Sequence, residues 1–161
     1  MRILGYPQHG WIDVGEEHLS RGDFIYKLVT AKAALEKITL IPGETIEFFI
    51  IDIAQKLNLN PVLLREYYHQ LADYKDGLIV PDTYHMPKGI SERHLIYYLV
   101  NISMERHKEW ANKILGEFDK NQWFKYVIIA SIIQKEAVNA QEMPLVSAVI
   151  YNRLKVNKHN E

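Results

Sequence analysis

The sequence contains no cysteine. That excludes disulfide scaffolds, thiol nucleophiles and cysteine-ligated metal centres, and it fits a cytoplasmic and an envelope setting alike. No excess of one charge is present: 19 Lys and Arg stand against 20 Asp and Glu, for a net charge of −1, and the basic residues form no stripe. A nucleic-acid partner is therefore not expected, because phosphate recognition needs concentrated positive charge. No apolar run approaches the roughly 18–20 residues of a membrane span. The opening Met1-Arg2-Ile3-Leu4-Gly5 leads straight into Tyr6, Pro7 and Gln8, so no secretory leader is expected there. Low-complexity tracts are missing too. The seven histidines show no metal-ligand spacing of the HExxH kind, and neither a metal nor a cofactor is expected.

What is present is an ordinary globular composition, 48% hydrophobic and 24% charged over 161 residues. This suffices for one domain, or for two small subdomains sharing a core, and it argues against disorder. Aromatic residues make up 11%, with 10 tyrosines. Tyrosine stacks on sugars and is equally at home in a core.

Ser20-Arg21-Gly22-Asp23 reads as a helix entry ahead of Phe24, Ile25, Leu28 and Val29 at helical spacing. Lys37 to Ile41 is a short β-type run, and Pro42-Gly43-Glu44 a turn. A helix is expected from about Thr45 to Leu57, with Ile46, Phe49, Ile50, Ile53, Ala54 and Leu57 on one apolar face. Asn60 can cap the next helix and Pro61 begin it, with its end near Leu71. Tyr74 to Ile90, punctuated by Gly77, Pro81, Pro87 and Gly89, reads as an ordered, non-helical passage. Ser91 caps a long helix towards Leu115, and a polar linker follows over 116–122. Two helices are expected over about 123–138 and 144–156. The chain then stops on a polar run from Asn157 to Glu161, as a piece of a longer protein would.

The segment Phe124 to Glu136 is apolar nearly all round in its middle, which predicts a buried helix. Glu136 falls three, four and seven residues after Ile133, Ile132 and Ile129, on one stripe with them. A carboxyl on a buried apolar stripe loses hydration, its pKa rises, and it can serve as a general acid. The alternative is a helix-end carboxylate that reaches water and pairs with Lys135 or Arg153. In the next segment, Asn152 could bond a sugar or cap a neighbouring backbone, and Arg153 could interact with the helix dipole. Asp82 and Thr83 are turn formers that bond local backbone, and Tyr84 after them is either a sugar platform or part of the turn structure.

Three segments together resemble the YceG-like endolytic murein transglycosylases, the MltG family. They are Gly77…Pro81-Asp82-Thr83-Tyr84…Pro87-Lys88-Gly89, then Ala130-Ser131-Ile132-Ile133-Gln134-Lys135-Glu136, then Pro144-Leu145-Val146…Tyr151-Asn152-Arg153-Leu154. They stand in the family's order and at compatible spacing, and the resemblance covers about residues 10–156. Upstream, Ile38-Thr39-Leu40-Ile41-Pro42-Gly43-Glu44-Thr45 looks like the entry to the family's LysM-like subdomain, a small sugar-binding module of strand and helix. Two positions depart from the family pattern: Gln134 and Asp76 stand where glutamates are usual. The family's membrane anchor, and an SDPT…YG run soon after Arg153, are not among these residues.

The resemblance implies an α+β fold, with a LysM-like subdomain at 10–72 and the first part of a mainly helical catalytic domain at 73–161. It implies endolytic cleavage of the β-1,4 bond between N-acetylmuramic acid and N-acetylglucosamine, leaving 1,6-anhydro ends that terminate nascent glycan strands. Glu136 is the residue carried over as catalytic, and Asp82, Thr83, Tyr84, Gln134, Tyr151 and Asn152 as substrate-binding. The implied partners are peptidoglycan glycan strands and cell-wall synthases. The implied location is the inner membrane, by a single-pass anchor, with the domain facing the periplasm or cell exterior. A non-catalytic, LysM-like glycan-binding module is the competing expectation. Asp82, Thr83, Tyr84 and Asn152 are expected to converge on the Glu136 carboxyl in one cleft.

Overall fold

The computed structural model describes residues 18–30 and 34–157. Six helices and a two-stranded sheet appear among them, and the fold is α+β and mostly helical, as expected. The first helix, α1 (Arg21–Thr30), begins at Ser20, whose Oγ accepts from the Asp23 amide at 3.2 Å and donates to the Asp23 carboxylate at 2.6 Å. Residues 1–20 read from the sequence as loop and short strand, and almost all of them lie outside the described residues.

Strand β1 (Leu35–Thr39) starts two residues before the β-type run expected at 37–41. It pairs antiparallel with β2 (Thr83–Pro87), with Ile38 opposite Tyr84 and Thr39 opposite Thr83. Between the strands come α2 (Ile46–Leu57) and α3 (Pro61–Leu71). On α2 the buried residues are Ile46, Phe49, Ile50, Ile53 and Ala54, the predicted face. The helix ends at Asn58 in the left-handed region (φ 53°), a conformation asparagine tolerates. Asn60 then caps α3 by accepting from the Val62 and Leu63 amides, with Pro61 in the first turn where its missing N–H is no loss. Arg65 of α3 reaches back to Glu47 of α2 through Nε and Nη2, each 2.8 Å from Oε2.

Helix α4 (Glu92–Leu115) lies against α3 and closes the core with Leu95, Ile96, Leu99, Val100, Ser103, His107 and Ala111. It stops at Gly116, whose positive φ of 85° lets the chain turn off the helix. One cluster of buried residues runs from Ile38 through α2, α3, Leu78, Tyr84 and α4 to Phe124. Because β2 completes a sheet begun by β1, this packing crosses the 72/73 division drawn from the sequence.

Asp119 caps α5 (Lys120–Glu136) by accepting from the Gln122 amide at 2.7 Å, so the helix begins three residues earlier than expected. After a turn held by Asn139 and Glu142, α6 (Met143–Asn157) packs against α5. Only Trp123 and Phe124 of α5 are buried. The fully buried helix predicted for this segment is thus found only at its first turns. Ile128 and Ile132 on α5, and Leu145 and Val149 on α6, are exposed. Among the described residues no helix is long and apolar enough to cross a membrane.

Candidate functional site

The expected site residues fall on two sets of elements, the turn into β2 and the α5–α6 hairpin. The first gathers at the start of β2. The Asp82 carboxylate accepts from the Thr83 amide at 2.7 Å and is ion-paired with Arg106 of α4. These two hydrogen bonds, Arg106 first and the Thr83 amide second, hold the Asp82 carboxyl below the usual carboxylate range. Thr83 and Thr39 share a hydroxyl hydrogen bond of 3.0 Å across the sheet. Both Asp82 and Thr83 remain partly exposed.

Tyr84 does not. It is 4% exposed, its hydroxyl donates to the Val80 carbonyl, and burial raises its pKa. The alternation of a strand explains this: Thr83 and His85 face away from the core and Tyr84 and Met86 face into it. As arranged here, Tyr84 shapes the turn from within and offers no ring to a sugar. Its ring instead lies under the Arg106 guanidinium, 5.9 Å from the centroid. Arg106 was not among the residues expected from the sequence. No local pattern marks it, since its partners lie 24 and 22 residues upstream and meet it only in the fold.

The second group lies on the α5–α6 hairpin. Glu136 is the last residue of α5 and is exposed, as the helix-end alternative expects and unlike a dehydrated carboxyl on a buried stripe. No hydrogen bond or ion pair reaches its carboxylate among the described residues, and neither Lys135 nor Arg153 pairs with it. Gln134, Tyr151 and Asn152 are exposed as well. The physical reason for the difference is simple. Helical spacing places Glu136 with Ile129, Ile132 and Ile133, but it does not provide a neighbour to cover that stripe.

The passage before β2 meets α5 near its beginning rather than at Glu136. The Tyr74 ring stacks on Phe124 with centroids 4.2 Å apart. Gly77, at φ 84°, approaches α5 so closely that a Cβ there would lie 3.3 Å from Val127 Cγ1. Nine residues separate Val127 from Glu136, a rise of about 13 Å along the helix. No hydrogen bond among the described residues joins Asp82, Thr83, Tyr84 or Asn152 to the Glu136 carboxyl.

The sequence matches the YceG-like family over residues 8–159. The chain belongs to the YceG-like family. The match takes in α5 with Glu136, the Asp82–Tyr84 turn and the Tyr151-Asn152 pair. The fold is similar to that of a crystallised YceG-like protein from Listeria monocytogenes, with a TM-score of 0.59 and 17% sequence identity, over 85% of this chain and 53% of that one. The chain thus spans about half the length of this YceG-like relative. No curated protein matches the sequence.

Proposed function

We propose that this chain is the first part of a peptidoglycan-cleaving domain, in which Glu136 acts as the single general acid and base. The observation that carries this reading is family membership across the whole Glu136 segment. It is supported by a carboxylate at the end of α5 that no cation among the described residues holds. The reaction is the non-hydrolytic cut between N-acetylmuramic acid and N-acetylglucosamine. Glu136 protonates the leaving glycosidic oxygen and then takes the proton of the sugar's own 6-hydroxyl, which attacks the anomeric carbon and closes the 1,6-anhydro ring. Hydrolytic glycosidases need a second carboxylate for water or for a covalent intermediate. An intramolecular hydroxyl has a high effective concentration and removes that need.

An exposed glutamate becomes a competent acid when bound glycan displaces its water. Ile129, Ile132 and Ile133 on the same stripe give that environment one dry side. In this reading Asp82, Thr83, Gln134, Tyr151 and Asn152 contact glycan, and Tyr84 supports the Asp82 turn from below. The strand–helix–helix–strand unit of β1, α2, α3 and β2 serves as the LysM-like part. The longer protein sits on the inner membrane facing the cell wall and works beside cell-wall synthases.

The test is digestion of purified murein by the full-length protein and by its Glu136→Gln variant. Glutamine keeps the size and hydrogen bonding of glutamate but cannot donate and retrieve a proton. Cleavage should fall at least about 100- to 10,000-fold, the usual loss when general acid–base help is removed. Wild-type products should end in anhydro sugars, lighter by one water than hydrolytic ones. Undiminished cleavage by the glutamine variant removes Glu136 from the mechanism, and water-added products make the enzyme a hydrolase with a second carboxylate, such as Asp82 or Glu142. One observation favours the non-catalytic, glycan-binding reading: the β1–α2–α3–β2 unit is packed on a core, whereas Glu136 stands exposed. Glycan binding without any product under the same conditions would decide for it.

A further inference from the structure

A buried histidine outside the proposed reaction joins three elements at one point. His107 of α4 is 4% exposed and has two hydrogen-bond partners of fixed character. Its Nε2 lies 3.0 Å from the Leu78 carbonyl oxygen, which can only accept, so Nε2 carries a proton. The Trp123 indole Nε1–H of α5 donates to Nδ1 at 3.0 Å, so Nδ1 carries a lone pair. The two bonds agree on one species, the neutral Nε2–H tautomer, with neither nitrogen left over. Aromatic rings enclose it: Trp110 edge-on, Trp123, and Phe124 at 5.0 Å, the last stacked in turn on Tyr74.

Among the described residues nothing around the ring compensates a positive charge. On its own helix, Arg106 is paired with Asp82 and Lys108 with Glu105. On α5, Lys120 is paired with Asp73 of the 72–82 passage. The other carboxylate of that passage, Asp76, accepts from the Ile46 amide. From the passage, the groups that bond the ring are the Leu78 and Gly77 backbone. A proton on Nδ1 would therefore set N–H against the Trp123 N–H and place a charge in an apolar cage.

We propose that His107 is an acid-released latch: neutral, it ties α4, the first turns of α5 and the Gly77–Val80 passage together, and protonated, it lets Trp123 go and frees α5 from the core. Trp123 and Phe124 are the buried residues of α5, so loss of this anchor is felt along the helix that ends in Glu136. The latch stands on the geometry of His107 alone and holds whether or not Glu136 is catalytic. Its direction agrees with burial, which holds the His107 pKa below the ordinary imidazole range against the pull of the Leu78 and Gly77 carbonyls. Since the closed form binds the proton less readily than the open one, the latch is fully engaged above pH about 6.5 and weakens as pH falls from there towards the lowered folded pKa.

Two measurements on the whole protein test this. Ring ¹⁵N shifts of His107 at neutral pH should show a protonated Nε2 and a bare Nδ1. The hydrogen-exchange protection of the Trp123 indole, corrected for intrinsic rates, should then fall by up to about tenfold per pH unit below the ordinary imidazole pKa, while β1 and β2 amides keep theirs. His107→Gln supplies a donor and an acceptor in similar places without a titrating group, and should abolish this acid response. A neutral ring protonated at Nδ1, or Trp123 protection that does not follow the His107 titration, overturns the proposal. So does an unchanged acid response in the glutamine variant. If that variant does not fold, the wild-type tautomer and Trp123 protection decide alone.

Discussion

Asp82 bonds in two directions at once, to the amide of its own turn and to an arginine on another helix. Both charged groups are partly exposed, so the pair is screened and its contribution to stability is modest. Its electrostatic signature is still measurable. Arg106→Gln should raise the Asp82 pKa towards the ordinary value of about 3.9, read by NMR titration of the carboxyl. The stabilisation from a depressed carboxylate is present above the ordinary carboxylate range and is lost as pH falls through the folded pKa. The variant should therefore be less stable than wild type near neutrality, with the difference closing in acid. A pKa that stays low in the variant would assign the shift to the Thr83 amide instead. Gly77 is the second residue whose identity the fold dictates. Its φ of 84° suits glycine, and Val127 Cγ1 occupies the space a Cβ would approach. Gly77→Ala should destabilise by about 1–3 kcal/mol in chemical denaturation, from backbone strain together with crowding against α5. A change near zero would mean that the passage can lift away from the helix.

Helix α5 divides into two parts that the sequence does not distinguish. Phe124 is buried under Tyr74 and beside His107, while Ile132, two turns on, is exposed. Phe124→Ala should cost about 3–5 kcal/mol. Ile132→Ser should change stability in this 161-residue chain by no more than about 0.5 kcal/mol, as surface substitutions do. Denaturation of the two variants side by side checks the contrast, and a large loss at Ile132 would place a packing partner over that stripe. This division shows what was legible in advance. The caps at Asn60 and Ser20, the apolar face of α2 and the long α4 follow from local chemistry, and they appear where the pattern placed them. The burial of Glu136 did not follow, because periodicity states which residues share a face and is silent on what lies over it. The sequence marks the β2 region only as an ordered passage, since Pro81, Pro87 and Gly89 are breakers. What makes it a strand is β1, which pairs Ile38 with Tyr84 from 46 residues away.

For the molecule as a whole, the distribution of buried residues decides how the chain comes apart. The cluster from Ile38 to Phe124 includes both strands, α2, α3, α4 and the start of α5. Its members are linked by contacts distant in sequence, such as Arg65 with Glu47, Val80 with Ser103 and Trp123 with His107. At neutral pH, with His107 neutral and the latch engaged, such a unit should open cooperatively. The far half of α5 and the described side chains of α6 add no member to it, so they should open at lower free energy. Family resemblance had placed the three matched segments in a single cleft. The fold places the Asp82–Tyr84 turn within the cooperative unit and Glu136 with Asn152 on the hairpin outside it. Native-state hydrogen exchange reads this difference directly. Amides of Ile50, Ile53, Leu99 and Ser103 should exchange at the global unfolding free energy, and amides of Ile132, Val149 and Ile150 well before it. Addition of murein glycan should slow the second set if Glu136 lies in the binding surface, because a ligand that binds the ordered hairpin stabilises it by mass action. Protection gained at Asp82–Tyr84 alone would instead assign binding to the β1–β2 unit and leave the hairpin without a role in glycan recognition.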